Sequence, residues 1–491
     1  MNSDAIHKGS WLRTIFRYGK WYLLSSLFTK GIGVILLPLY TNNLSTTEYG
    51  TLQTLNSIAA LLPIILSCSL DSAFGRFFHD YKYDKNKLQK LFSSIYCFVL
   101  LYGSFILIIA FSTSSLWCAD LLNIPMFPYV YLSFATALLN QLAVLGRTFL
   151  EQSLETKAIT LLDFVFAFIN ASVSIFLLLY LQYGIKSILI GALCASLFLH
   201  IYYYIYFRKK KILNFSISFS ILKVALVYSV PLMPSVASTW IASVSDRLVI
   251  AKYVDLSSVA MYSFTFQISS MVYIIGDAVT RVISPVIMSG LVQDKQSTHQ
   301  KIQSSSVFMW GVMLVVVYGL SLFSKELVSI LGNSEYESTA LFIPILSFSY
   351  VLGMQQRFPS QVLSYHKKTW LLSTGAIIMA FSNLILNLIF VPLWGYTAAI
   401  FNCVIANFIN LLWSSLWAYQ YETYSYNWKR MLLSLTCMVS LSYVGYKLMD
   451  IAEAGFLYFI MKMFLLFIGS MVIVLVVNKK MVLLLMDKIK K

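Results

Sequence analysis

The chain has 491 residues, of which 59% are hydrophobic and 11% charged, with a mean hydropathy of +0.75 and a formal net charge of +16. A soluble globular domain is about one quarter charged, so this composition leaves too little polar surface to cover a water-soluble fold. The chain is therefore expected to be an all-α integral membrane protein with many spans.

The basic start, "MNSDAIHKGSWLRTIFRYGKW", holds no small-residue cleavage pattern, so the first apolar helix is expected to be its own insertion signal. In chain order, fourteen transmembrane helices are predicted, with cores at 18–41, 50–74, 91–112, 127–147, 158–181, 187–207, 222–252, 258–290, 303–323, 340–364, 370–391, 397–420, 431–448 and 456–477. Most reach the ~20 residues that a bilayer requires. With the N-terminus placed inside, the cytoplasmic segments hold 27 Lys and Arg, against four (Lys186, Lys252, Lys325 and Lys447) outside. That bias predicts an even span number and two cytoplasmic termini. The same basic runs suit anionic lipid rather than nucleic acid.

The sequence matches itself at an offset of 211–212 residues. Leu44-Ser45 meets Leu256-Ser257; Lys90, Ser93 and Ser94 meet Lys301, Ser304 and Ser305; Lys157 meets Lys368; Gly184 meets Gly395. A period this long predicts two six-helix bundles. An even helix number keeps the copies in one orientation, a parallel repeat about the membrane normal. The expected divisions are an N-terminal bundle over 1–220, a C-terminal bundle over 221–425, and two additional helices with a basic tail over 426–491.

No chemistry-bearing motif interrupts this plan. The six cysteines are scattered without a CxxC pair, the five histidines lack ligand spacing, and no GxxxxGK[ST] is present. No cofactor and no metal are expected. Every connection is too short to fold alone, which argues against a membrane glycosyltransferase, polymerase or other enzyme.

Three stretches carry a resemblance: "LLPLYTNNLSTTEYGTLQT" (36–54), "SLDSAFGRFFHDY" (69–81) and "YSVPLMPSVASTWIASVSDRLVIAKYV" (228–254). Together they resemble the polysaccharide-transport branch of the MOP superfamily, the Wzx-type flippases of bacterial inner membranes. The resemblance covers essentially the whole chain. It implies translocation of an undecaprenyl-diphosphate-linked oligosaccharide (a repeat unit of O-antigen, capsule or exopolysaccharide) from the cytoplasmic to the periplasmic leaflet. Membrane lipids, a polysaccharide polymerase and a chain-length regulator would be its partners. The relatives of that branch include MATE exporters, so a cation-coupled drug or metabolite exporter is the alternative.

Charges within the spans cost about 3 kcal/mol each on insertion scales, and each needs a reason. Lys30 falls near mid-bilayer and is expected to meet the diphosphate; a structural ion pair is the other reading. Asp246 and Arg247 are helix neighbours about 100° apart and cannot simply pair with each other, so they read as a polar gate or as an anchor with a salt bridge. Pro231 and Pro234, early in the same helix, are expected to bend it as a hinge. Asp277 and Arg281 stand in the favourable i,i+4 order. Arg357 lacks a local acid and is a substrate-binding candidate, as are Arg281 and Arg247. Asp71 and Asp163 are lone acids that could couple an ion, or pair with Lys30. Arg76 ends the second helix at the cytoplasmic interface, where a motif cap or headgroup contact is expected.

Overall fold

The computed structural model describes residues 31–113, 124–293, 295–422, 426–451 and 456–489. Helix is the only regular secondary structure among them. Among the described residues, ten helices are long and apolar enough to cross a membrane, and up to twelve if each of two bent pairs counts as one span. Of the fourteen spans expected, the first lies largely within residues 1–30, outside the described residues, and the thirteenth corresponds to the helix Trp428–Ile451.

Cα packing divides the chain into two compact units, 1–240 and 241–491. The division falls inside the seventh span, and the terminal helices belong to the second unit.

In the first unit, the second span is broken into α1 (Thr46–Ala59), α2 (Leu62–Ser67) and α3 (Leu70–Tyr81). Ser45 and Glu48 open α1 with a reciprocal capping box, satisfying two otherwise free backbone N–H groups. The break before α3 sets Cys68 and Ser69 in the left-handed region, at φ 50° and 57°. There follow α4 (Lys85–Ser112), α5 (Tyr131–Gln152), α6 (Thr156–Leu179) and α7 (Ile185–Lys209). Asp84 caps α4 by accepting from the backbone N–H groups of Lys87 and Asn86, bonds that hold its carboxyl below the ordinary range. Phe74, Phe92, Phe149 and Phe207 stack edge and face at 4.5–6.3 Å in the centre of α3, α4, α5 and α7. Ser93 and Ser94, singled out by the repeat, accept from the backbone N–H groups of Asn214 and Ser218 at 2.8 Å each and so pin the connection after α7.

The seventh span runs through α8 (Phe219–Ser229), a 3-10 turn at Val230–Leu232, and α9 (Met233–Tyr253). Its two halves meet at 48°.

In the second unit, α10 (Leu256–Ser269) and α11 (Met271–Gln293) precede α12 (Lys295–Leu322), α13 (Ile343–Gln355), α14 (Arg357–Tyr365), α15 (Thr369–Trp394) and α16 (Tyr396–Tyr421). The helix starts at Thr46 and Leu256, Lys85 and Lys295, and Ile185 and Tyr396 lie within a residue or two of the sequence offset. Gly184 and Gly395 make the correspondence physical. Both precede the last helix of their bundle at positive φ, 56° and 66°, with ψ −134° and −156°, a region that only glycine enters without strain.

The helices α17 (Trp428–Ile451) and α18 (Phe456–Ile489) pack on α12. Trp310 donates to Met431 O at 3.2 Å, and Tyr318 donates to Leu465 O at 3.1 Å. Large apolar side chains face outward on the remaining surfaces, among them Leu101, Phe105, Phe168, Phe381 and Ile385, as expected where the surrounding solvent is lipid.

Candidate functional site

The strongest concentration of buried polar groups lies in the second unit, where α9, α10, α15 and α16 converge. Asp246 is 2% exposed and Arg247 8% exposed. One carboxylate oxygen of Asp246 accepts from Asn383 Nδ2 at 2.6 Å and from Asn387 Nδ2 at 2.5 Å. The other accepts from the Tyr262 hydroxyl. Asn402 Nδ2 in turn donates to Asn387 Oδ1 at 2.9 Å, extending the network to α16. Asn383 Oδ1 is buried and accepts no hydrogen bond among the described residues. Because Asn383 and Asn387 are four residues apart on one helix, both carboxamides reach the same carboxylate.

Arg247 points elsewhere, as its helical position requires. Its Nε donates to Ser263 Oγ at 2.9 Å and its Nη1 to Ser243 O at 3.3 Å. The guanidinium lies 4.6 Å from the Phe266 ring centroid and 5.7 Å from that of Tyr262. Tyr262 thus serves both charges, its hydroxyl to Asp246 and its ring face to Arg247. The two neighbours that cannot face each other are joined through one side chain on α10.

The other sequence-selected charges are dispersed. Asp163 is buried on α6 and bonds Arg147 of α5 at 2.5 Å, while Arg147 Nε reaches Glu151 at 3.0 Å. Asp71 stands just after the break in the second span, with Ser67 Oγ at 3.5 Å. Arg76 forms an exposed i,i+4 bridge with Asp80 at 2.9 Å. Arg357 opens α14 and donates to the Tyr273 hydroxyl at 3.2 Å. Asp277 lies half-buried on α11. Lys30 lies outside the described residues, as does the side chain of Arg281. Pro231 falls within the 3-10 turn and Pro234 opens α9, at the 48° bend.

Two features escaped the sequence reading. The Asn383, Asn387 and Asn402 set could have been found from "NLILN", two carboxamides four residues apart in an otherwise apolar helix. The second is Glu422, 5% exposed, which holds His299 Nε2 at 2.9 Å and His366 Nε2 at 2.8 Å and so ties α12, the end of α14 and the end of α16. The three come from distant segments, so no local spacing announced them. Among the described residues, no group of three or more His, Cys, Asp or Glu could hold a metal ion.

A family described as polysaccharide biosynthesis protein matches residues 17–291. Protein 1 of the Lsg locus of Haemophilus influenzae is 23% identical over 375 residues, 74% of this chain and 88% of that protein. Among solved structures, the lipid II flippase MurJ in an inward closed conformation superposes with a TM-score of 0.73 at 15% identity, over 94% of this chain and 99% of MurJ. An inward-facing multidrug resistance MATE family transporter of the MOP superfamily follows, with a TM-score of 0.65 at 14% identity, over 81% of this chain and 94% of that one. At such identities these two likenesses speak for the fold. The family match spans more than half of the sequence and agrees with the two-bundle helical architecture; the chain belongs to the polysaccharide biosynthesis protein family.

Proposed function

We propose that this chain is a flippase for undecaprenyl-diphosphate-linked oligosaccharide, moving it from the cytoplasmic to the periplasmic leaflet of a bacterial inner membrane by alternating access. The observation that carries this reading is the family match over 17–291 on a chain with membrane-length helices and short connections. Lys30, Arg247, Arg281 and Arg357 supply candidate cations for the diphosphate, and the lipid tail stays in the bilayer. The 27-to-four distribution of Lys and Arg supports two cytoplasmic termini. A polymerase and a chain-length regulator remain its proposed partners.

Asp246 is the proposed coupling group. Among the described residues it is the least exposed of three buried carboxylates, the others being Asp163 and Glu422, and its donors come from helices α10 and α15. A carboxamide presents either its nitrogen or its oxygen after a flip. Asn383 and Asn387 can therefore serve the ionised carboxylate, the protonated one, or a small monovalent cation beside it. The exporter alternative calls for acids free to meet a cationic substrate. Here Asp246 is enclosed by donors and Asp163 is bonded to Arg147. The test is to remove the protein from its host and probe the sidedness of lipid-linked sugar. Accumulation on the cytoplasmic face supports the flippase; loss of drug resistance with normal surface polysaccharide supports the exporter.

A further inference from the structure

The first unit contains a cavity of about 250 Å³, set between α1, α2, α5 and α7 and apart from the Asp246 network. Its eleven lining residues include Asn56, Ser133, Thr136, Asn140 and Gln141, and none of the eleven is charged. Gln141 and Ser133, each only 5% exposed overall, line this cavity together with the neighbouring Asn140 of the same helix. A carboxamide and a hydroxyl can each donate and accept hydrogen bonds, so this wall can serve a polar, uncharged ligand. The helix break adds another acceptor. Ala59 and Pro63 both line the cavity, and Pro63 has no N–H, so the Ala59 carbonyl lacks its i+4 helical donor.

The chemistry of this lining selects its occupant. Among the described residues its lining holds no Lys or Arg to meet a diphosphate and no Asp or Glu to meet an organic cation. Carboxamides, hydroxyls and a free carbonyl, interleaved with Ala137, Val144 and Leu189, match a ligand that alternates hydroxyls or acetamido groups with apolar ring faces. The volume falls below the ~300–1,000 Å³ of sites for drug-sized ligands, which fits one sugar residue rather than a whole repeat unit. We propose that the first unit carries a subsite for an uncharged sugar, with Gln141, Ser133 and Asn140 as its hydrogen-bonding residues. The proposal rests on the flippase reading and assigns glycan recognition to residues distinct from the cations that meet the diphosphate.

The test uses the full chain in lipid nanodiscs and two probes, undecaprenyl diphosphate and undecaprenyl diphosphate bearing one hexose, with binding read by native mass spectrometry. The wild type should bind the hexose-bearing lipid about tenfold more tightly, the worth of one or two neutral hydrogen bonds. Gln141→Met, which keeps the side chain's shape, and Asn140→Leu should each remove most of that preference while leaving affinity for the bare lipid unchanged. Equal wild-type affinity for both lipids overturns the subsite, and this comparison needs no variant to fold. A variant that weakens both lipids alike also overturns it, because the cavity is then structural and filled by water. Wild-type binding of neither lipid removes the flippase reading itself, and the subsite with it.

Discussion

Tyr262 carries two jobs that substitution can separate. Its hydroxyl donates to Asp246 and its ring lies under Arg247. Tyr262→Phe keeps the ring and deletes the donor, so the buried carboxylate loses one of its three bonds. A buried acceptor stripped of a partner costs about 1–3 kcal/mol, and the purified protein should melt at a lower temperature by a corresponding margin. An unchanged melting curve would mean that water replaces the hydroxyl and that the enclosure is looser than the geometry implies. Asp246→Asn tests coupling instead. It preserves size and one acceptor oxygen while abolishing the charge, so proteoliposomes should retain lipid-linked substrate binding and lose gradient-driven translocation. Gradient-driven transport at the wild-type rate would remove Asp246 from the mechanism. The sequence displayed the problem at this site but not its solution. Two charges in an apolar stretch are visible by inspection, because charge is expensive there. Their partners are uncharged residues, and Asn383 stands 137 positions away, so only the fold brings them together.

At the scale of the helix, proline was a good guide and other breaks were silent. Pro231 and Pro234 forecast a bend, and the seventh span turns by 48° there through a 3-10 segment. A proline removes the hydrogen bond that would hold the next turn straight, which is readable from sequence. The break at Cys68–Ser69 was not readable, since neither residue type favours the left-handed conformation both adopt. Whether the bend is a hinge depends on movement. Ser243 lies on the exposed side of α9, one turn before Arg247, which bonds its carbonyl. In a cysteine-free background, Ser243→Cys should react with a periplasmic thiol reagent at a rate that changes when substrate supply is shut off. A rate that is constant under both conditions, with transport intact, would make Asp246 and Arg247 parts of a static helix.

Across the whole molecule, the repeat was legible in the loops because turns demand particular residues. Gly184 and Gly395 mark the same left-handed corner in both bundles, and no other residue type fits it without strain. The status of the last two helices was not legible, because an apolar helix looks alike whether it packs on protein or floats in lipid. The sequence offset alone set 426–491 apart as an addition. In the structure, Met431, Met438, Ile473 and Val477 belong to the same buried cluster as Trp310, Met313 and Tyr318 of α12. Gly469 lets α18 approach so closely that a Cβ there would clash with the Tyr318 ring. Lys462, 3% exposed, reaches Leu322 O at 2.7 Å and Glu326 at 2.5 Å, fastening the start of α18 to the end of α12. In a bilayer, burying apolar surface against another helix gains little over lipid, so close packing and polar bonds hold such helices together. Truncation after residue 425 would strip partners from the Trp310 indole N–H and the Tyr318 hydroxyl and open the packed face of α12. Each orphaned group costs about 1–3 kcal/mol, which together is a large fraction of the ~5–15 kcal/mol that separates folded from unfolded domains. The truncated chain should therefore accumulate poorly and melt early, and Gly469→Leu in the full chain should reproduce part of that loss. A truncated protein of normal abundance and normal melting temperature that merely fails to transport would assign the terminal helices to substrate handling rather than to the integrity of the second bundle.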